Sequence, residues 1–372
     1  MKTNDVMGIV FANVHDDLIR ELTEVRSMAS VPFGGRYRLI DFPLSNLVNA
    51  GICKVGVIPK YNYHSLMDHL GSGKPWDLDR KSGGLSILPP YINSDVGVDT
   101  GHVNSLSAVM NYLSHSKEKY IVMCDADVVG NIDIEKMLHR HFESGADITI
   151  AYKNGALPKS NRDIMSFEMD DDRRVRQIRM SENCGVMCSF SLDVVVMERR
   201  LLISLVKAAK EKNETRLWRD VFLSNVDQLK IYGYEVTECA WVIDGTESYA
   251  KANFALLDEK IRADVFCRER PIYTKIRDDV PTRYGLNSKV KSSLIADGCV
   301  IEGSISNCII FRGVKVKEGA VLENCIIMQD TVIEKNADLK YVIADKNATI
   351  TEERQLCGAP THFMFIHKSA RV

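Results

Sequence analysis

Short apolar runs alternate with amphipathic stretches through the first part of the chain. The apolar runs occupy residues 6–12, 54–59, 120–124 and 148–152, and the amphipathic stretches include residues 105–113 and 134–142. Uninterrupted apolar runs of this length predict strands buried on both faces, and strands that alternate with helices predict a mostly parallel sheet covered by helices on both faces. Ligands of such sheets bind beyond the carboxyl ends of the strands. The loops after Ala12 and Cys124 are therefore the first places to look for chemistry.

A six-residue spacing of aliphatic residues replaces this pattern from about residue 290 onward. Large aliphatic side chains recur at Ile295 and Ile301, at Ile310, Val316, Leu322 and Met328, and at Ile327, Ile333 and Leu339. A small residue often follows four positions later, as Ala320 follows Val316. Such hexads predict short parallel strands stacked into coils with three flat faces. A β-sandwich is the poorer interpretation, because its alternating strands would give a period of two.

These patterns divide the chain into two domains and a connector. We predict an α/β domain over residues 1–262, an irregular connector over residues 263–290 and a β-helix over residues 291–372. The connector mixes prolines with charged residues and shows neither period. A chain of 372 residues is long enough for two domains with separate cores.

Composition and charge exclude several classes of partner. Hydrophobic residues make up 45% and charged residues 26% of the chain, and the formal net charge is −2. Such a balance gives no general attraction to nucleic acid or to an anionic membrane. The run at residues 6–12 is too short for a secretory signal or a membrane span, and the ten cysteines contain no CxxC pair. We expect a cytoplasmic protein without a nucleic-acid or membrane partner.

Several stretches of sequence resemble one known family. They are ANVHDDLIRELTEVRSMASVPFGGRYRLID at residues 12–41, FPLSNLVNAGI at 42–52, GSGKPWDLDRKSGGLSILPP at 71–90, VIDGTESYAKAN at 242–253 and TRYG at 282–285. Together they are similar to the bacterial ADP-glucose pyrophosphorylases, or glucose-1-phosphate adenylyltransferases, which join ATP and glucose 1-phosphate into ADP-glucose for glycogen synthesis. The resemblance implies a Rossmann-like nucleotidyltransferase domain followed by a left-handed β-helix.

The phosphate-binding loop departs from the family pattern A-G-G-x-G-T-R-L and the later R-A-K-P. Laid on this chain without gaps, the glycine positions carry Asn13, Val14 and Asp16, the threonine and arginine positions carry Asp17 and Leu18, and the lysine position carries Met28. Glycines bring backbone N–H groups against phosphate, and cations neutralise it. A carboxylate ~4 Å from a phosphate costs about 4 kcal/mol at an effective dielectric constant near 20. We predict that productive ATP binding is lost here, unless another loop binds the nucleotide.

The metal-binding pair of the family is incomplete in this sequence. The resemblance places the first magnesium-binding aspartate at Asp127, two residues after Asp125, and the second at Ile243. Asp244 is one residue late, and on a strand such a shift turns a side chain to the opposite face. Asp127 is thus a remnant catalytic and metal-binding residue, although a solvated loop is an open alternative. His102 is interpreted as an incidental loop residue.

Two pairs of arginines are candidate contacts for a phosphorylated effector or a partner subunit. They are Arg36 and Arg38, which follow a glycine pair, and Arg176 and Arg179, in a basic cluster. Arginine suits bidentate phosphate recognition. A solvated charged face is the alternative interpretation.

The altered loop in a preserved scaffold resembles the degenerate, regulatory GlgD type of subunit that some bacteria carry. That resemblance implies a catalytically reduced partner of the catalytic subunit in a hetero-oligomer, expected to be a tetramer. We expect no tightly bound cofactor, and Mg²⁺ only if residual nucleotidyl transfer exists. An active sugar nucleotidyltransferase with an altered substrate or low activity remains an alternative. A β-helix acyltransferase would need a histidine between coils, and residues 295–350 contain none.

Overall fold

A computed structural model of the protein describes residues 5–12, 14–59, 62–89, 101–157, 164–181 and 185–372. Asn13, one of the altered loop positions, lies outside the described residues. Within these ranges no helix combines the length and the apolar character that crossing a bilayer requires.

The described part of the first domain is built around a nine-stranded sheet with two small two-stranded sheets beside it. The strands are β1 (Val6–Ala12), β2 (Pro32–Phe33), β3 (Tyr37–Arg38), β4 (Lys54–Pro59), β5 (Gly84–Ile87), β6 (Tyr120–Asp125), β7 (Val128–Gly130), β8 (Ile148–Ala156), β9 (Ile164–Met169), β10 (Val175–Ser181), β11 (Met187–Glu198), β12 (Ile231–Glu235) and β13 (Ala240–Val242). The helices are α1 (Arg20–Thr23), α2 (Asp41–Asn49), α3 (His64–Leu70), α4 (His102–Ala108), α5 (Met110–His115), α6 (Ile134–Ser144), α7 (Arg199–Glu211), α8 (Thr246–Ala255) and α9 (Glu259–Val265).

The sheet is mixed, whereas the sequence predicted a mostly parallel one. Strand β1 lies between β4 and β6 and runs parallel to both, as its fully buried apolar sequence predicts. Strand β11, however, runs antiparallel to β6, β8 and β9. Among the described residues, no helix separates β8 from β11, so these strands lack the crossover that parallel pairing requires.

The second domain is a left-handed β-helix, which confirms both the stacked coils that the hexads predict and the fold that the resemblance implies. Its strands are β14 (Arg283–Tyr284), β15 (Lys289–Lys291), β16 (Leu294–Ile295), β17 (Val300–Ile301), β18 (Ser304–Ser306), β19 (Ile309–Ile310), β20 (Lys315–Val316), β21 (Val321–Glu323), β22 (Ile326–Ile327), β23 (Val332–Ile333), β24 (Asp338–Lys340), β25 (Val342–Ala344), β26 (Thr349–Ile350), β27 (Gln355–Cys357) and β28 (Met364–Ile366). In the described residues they form three five-stranded parallel sheets, one for each flat face.

The hexad residues fill the interior of the coils. Ile301, Val316 and Ile333 are fully buried in one cluster, which the small Ala320 and Ala337 also join. Met328 is different, because it belongs to a cluster that the β-helix shares with the first domain. Of two adjacent hexad positions, Ile327 therefore points inward and Met328 points outward.

A column of isoleucines on the outside of the β-helix joins the two domains. Ile309, Ile326 and Ile343 pair across the parallel strands β19, β22 and β25. All three are fully buried against residues of the first domain that include Leu22 and Phe33. Burial of one such side chain stabilises the fold by about 1.5–3 kcal/mol. The two domains thus share an apolar core, which we call the seam.

A buried ion pair crosses this boundary. The Arg26 guanidinium donates to the Asp345 carboxylate at 2.9 Å, and both side chains are 2% exposed. Arg36 makes a second inter-domain pair with Asp297, but its side chain is 41% exposed. Loss of one partner from a buried pair leaves an uncompensated charge, whereas exposed pairs contribute little.

We predict that Asp345→Ala lowers the free energy of unfolding by about 3–5 kcal/mol, because it strands the buried Arg26 cation. Urea titration followed by circular dichroism would measure the loss. The matched control Arg36→Ala should cost no more than about 1 kcal/mol. The double variant Arg26→Met/Asp345→Leu should recover much of the stability. Equal stability of Asp345→Ala and the unmodified chain would contradict this account.

Candidate functional site

Asp16, in the turn that follows β1, holds that turn in place through two hydrogen bonds. Residues Asp16–Ile19 form a short 3-10 helix that leads into α1. The Asp16 carboxylate accepts a hydrogen bond from the Met28 backbone N–H at 2.6 Å. The Thr23 hydroxyl donates to the Asp16 carbonyl at 2.6 Å. The Met28 N–H therefore already has an anionic acceptor within the protein.

Apolar side chains at the altered loop positions pack into the cores. Met28 is 3% exposed and belongs to the seam, and Leu18 packs against the same cluster. Val14 packs against the core of the first domain that contains Phe11. Asp17 is exposed to solvent. Two of the three positions that carry cations in the family pattern, Leu18 and Met28, thus hold side chains that stabilise the contact between the domains. The third keeps its cation, Arg26, which pairs with Asp345 across the same boundary.

An acidic cavity of about 530 Å³ opens beside this turn. It is lined by Asp16, Asp17, Arg20, Glu21, Thr23, Glu24, Asn62 and His367. Carboxylates outnumber the cationic side chains, so the cavity repels a polyanion such as a triphosphate.

Two buried aspartates lie at the carboxyl end of β6. Asp125 and Asp127 are 1% and 2% exposed. The Nδ1 atom of His15, from the turn after β1, lies 2.7 Å from the Asp127 Oδ2 atom and 3.8 Å from the Asp125 Oδ2 atom. The loops after β1 and β6 thus meet, as the parallel sheet predicts.

His102 is part of this cluster, so its interpretation as an incidental loop residue is wrong. It is the first residue of α4 and is 3% exposed. Its Nε2 atom lies 3.0 and 3.2 Å from the two carboxylate oxygens of Asp125. Phe11 and Trp218 contact its ring edge to face. Gly101 permits this position, because a Cβ atom there would lie 2.1 Å from the Thr215 carbonyl oxygen.

The position of the second metal-binding aspartate is apolar in the structure as well. Ile243 is fully buried in the seam, and its N–H donates to the Asp127 carbonyl at 2.9 Å. Asp244 is buried and accepts a hydrogen bond from the Ser248 hydroxyl at 2.8 Å. Among the described residues, the group that could hold a metal ion comprises His15, Asp125 and Asp127.

A basic cavity of about 320 Å³ lies between the first domain and the β-helix. It is lined by Arg36, Arg38, Asp68, His69, Lys275, Ile276, Arg277, Arg312, Gln329, Asp330 and Lys346. Burial, together with the Arg38 and Arg26 charges, lowers the pKa of Lys346 to about 7. Burial also lowers the pKa of His69. Lysine and arginine side chains outnumber the aspartates in this lining, so the cavity carries a positive charge. An anion bound there would stabilise the charged form of Lys346.

Comparisons with known proteins identify both domains. Residues 18–178 match a family model described as nucleotidyl transferase, and residues 279–361 match one described as GlmU-like, C-terminal hexapeptide. The chain is 36% identical over 369 residues to the glycogen biosynthesis protein GlgD of Bacillus subtilis (strain 168), with 99% of this chain and 97% of the relative covered. It is 38% identical over 327 residues to GlgD of Geobacillus stearothermophilus, with 86% and 83% covered. It is 30% identical over 357 residues to the glucose-1-phosphate adenylyltransferase of Bacillus anthracis, with 93% of each covered.

The chain belongs to the glucose-1-phosphate adenylyltransferase family. This confirms the resemblance found in the sequence. The residues present do not fit the Mg²⁺ site that the resemblance implies, because Ile243 takes the place of the second carboxylate and is buried in the seam. The imidazole of His15 lies against the remaining aspartate, Asp127.

The two arginine pairs lie in different settings of this family fold. Arg36 and Arg38 line the basic cavity. Arg176 and Arg179 lie on β10, more than half exposed, and pair with the carboxylates of Asp170 and Glu168. The proposed contacts of all four arginines with an effector or a partner subunit remain predictions. The position of Arg36 and Arg38 in the cavity lining supports effector binding by these two.

Reasoning from the sequence missed His15 and four cationic residues of the basic cavity. His15 occupies the variable position of the family loop, so no pattern marks it. These four residues come from the connector and the β-helix and meet only in the folded chain: Lys275, Arg277, Arg312 and Lys346. In the sequence, only their positive charge could have marked these residues as candidates for an anion site.

We predict that Met28→Lys, which restores the family lysine alone, lowers the free energy of unfolding by at least about 3 kcal/mol. The reason is that it buries an ammonium group in the apolar seam. The matched control Met28→Leu keeps the volume and should cost less than about 1.5 kcal/mol. Chemical denaturation of both variants checks this. A stable Met28→Lys variant would show that the seam has room for a charged side chain.

Proposed function

We propose that this chain is a regulatory, catalytically reduced subunit of ADP-glucose pyrophosphorylase. It assembles with the catalytic subunit into a heterotetramer in the cytoplasm and modulates ADP-glucose formation for glycogen biosynthesis. The observation that carries this proposal is that residues at the family's phosphate-binding positions pack in a hydrophobic core. Leu18 and Met28 contribute to the seam, and the Asp16 carboxylate accepts the hydrogen bond that the Met28 N–H donates.

Electrostatics supports reduced catalysis. Nucleotidyl transfer depends on cations and backbone N–H groups that stabilise charge on the phosphates. Here the turn after β1 presents Asp16 and Asp17 to an acidic cavity instead. Each carboxylate within ~4 Å of a phosphate would add a repulsion of about 4 kcal/mol before screening.

An active enzyme with an altered substrate or low activity is the alternative. The retained Asp127 favours it, because this residue is buried at the position of a family metal ligand. The acidic cavity beside the loop disfavours it, since any nucleoside triphosphate carries the same phosphates.

We predict that the purified chain alone, given ATP, glucose 1-phosphate and Mg²⁺, releases diphosphate at least ~10³-fold more slowly than a catalytic member of the family. Addition of the chain to that catalytic subunit should change its turnover or effector response, and the two should co-elute in size-exclusion chromatography. Asp127→Asn serves as the control that tells residual turnover at this site from a contaminant. Turnover comparable to that of the catalytic subunit, abolished in Asp127→Asn, would establish the alternative.

The basic cavity is the proposed allosteric site of this subunit for a phosphorylated metabolite. Arg36 donates to the Asp297 carboxylate, and the Arg38 guanidinium donates to the Ser65 carbonyl, so both side chains are held in place in the cavity lining. Lys346 is largely buried among cations, so its amine gains most from an incoming anion. Because both domains line the cavity, a bound anion would bridge them.

We predict that sulfate, whose charge is constant near neutrality, binds the chain more weakly as the pH rises through about 7, because Lys346 loses its proton there. Lys346→Ala should weaken binding roughly tenfold or more below that pH and flatten the pH dependence. The exposed Lys335→Ala is the matched control. Isothermal titration calorimetry measures the sulfate affinity and its pH dependence. Titrations from about pH 6 to pH 8 cover roughly one unit on each side of the Lys346 pKa of about 7. An unchanged pH profile in Lys346→Ala would refute the role of this lysine.

A further inference from the structure

The contact between His15 and the two aspartates has the composition of a transition-metal site. The ligand atoms of His15, Asp125 and Asp127 all lie within 4.8 Å of one another. They come from the turn after β1, the last residue of β6 and the loop that follows it. Three donors from two segments of the chain, the turn after β1 and the end of β6, thus lie close together.

The separations suit one small cation. Zinc–nitrogen and zinc–oxygen bonds of 2.0–2.2 Å in a tetrahedral arrangement place neighbouring donors about 3.3–3.6 Å apart. The His15 Nδ1 atom lies 2.7 Å from the Asp127 oxygen and 3.8 Å from the Asp125 oxygen, so the two distances bracket this range. A shift of the His15 ring by about half an ångström, within ordinary side-chain motion, would make these two distances equal. His15 is 16% exposed, which leaves a path for entry.

The donor set distinguishes between metals. Mg²⁺ prefers oxygen ligands and keeps several waters, whereas imidazole nitrogen suits Zn²⁺ and Co²⁺. The surroundings add to this preference. His102 contacts both oxygens of Asp125 and fixes its orientation, as outer partners of metal ligands do. Two adjacent buried carboxylates also gain from a divalent charge.

We propose that His15, Asp125 and Asp127 bind one divalent ion of the zinc class directly, without a nucleotide. The neutral His15 imidazole and the two carboxylates are the ligands, and any proton shared between them is released on binding. This site replaces the nucleotide-dependent Mg²⁺ site of the family by one in which the protein supplies nitrogen. The ion would fix the turn after β1 to the end of β6. The proposal does not depend on the regulatory role.

The test uses the full chain, freed of metal by a chelator, and two probes. Calorimetry should detect one Zn²⁺ per chain, with no competition from millimolar Mg²⁺. Co²⁺ should give the visible absorption of a tetrahedral or five-coordinate site without a thiolate charge-transfer band. We expect His15→Ala to weaken Zn²⁺ binding at least ~100-fold, and His102→Gln to weaken it about 10–100-fold. The exposed His64→Ala is the matched control and should bind as the unmodified chain does.

Several outcomes would overturn the proposal. They are no uptake of Zn²⁺, equal affinity in His15→Ala, or a thiolate band that assigns the metal to cysteines. Circular dichroism of each variant shows whether it is folded. Asp127→Asn gives a second route: if His15→Ala fails to fold, loss of the Co²⁺ spectrum in a folded Asp127→Asn variant supports the site, and its persistence rejects it.

Discussion

The outward isoleucine column of the β-helix determines how the rest of the molecule is arranged. Ile309, Ile326 and Ile343 give the first domain a flat apolar surface to pack on. Leu18 of the turn after β1 and Met28, which begins a 3-10 helix after α1, contribute to that packing. Because Asp16 also accepts a hydrogen bond from the Met28 N–H, the conformation of the turn is tied to the contact between the domains. A loop that aligns without gaps with the family's phosphate-binding loop thus forms part of a hydrophobic core.

This arrangement separates charges of opposite sign into two cavities. Carboxylates collect beside the turn, where the family pattern has glycines and cations, and cations collect between the first domain and the β-helix. An anionic ligand is therefore favoured at the domain boundary and disfavoured at the end of β1. The molecule thus keeps the scaffold of its family and places its cationic cavity at the domain boundary.

The sequence predicted most of the fold and only part of the site. The hexads specified the β-helix because every coil repeats the same spacing, and the apolar run of β1 specified a buried parallel strand. The antiparallel course of β11 was missed, because its pairing depends on partners distant in sequence. His15 and His102 were missed for the same reason: each acquires its role only when the sheet brings it to the carboxylates.

The packing of Met28 has an evolutionary consequence. A charged residue at this buried position would lower stability on its own, whatever it offered to a phosphate. Selection for a stable fold alone therefore acts against a cation at this position, with no need for selection on catalysis.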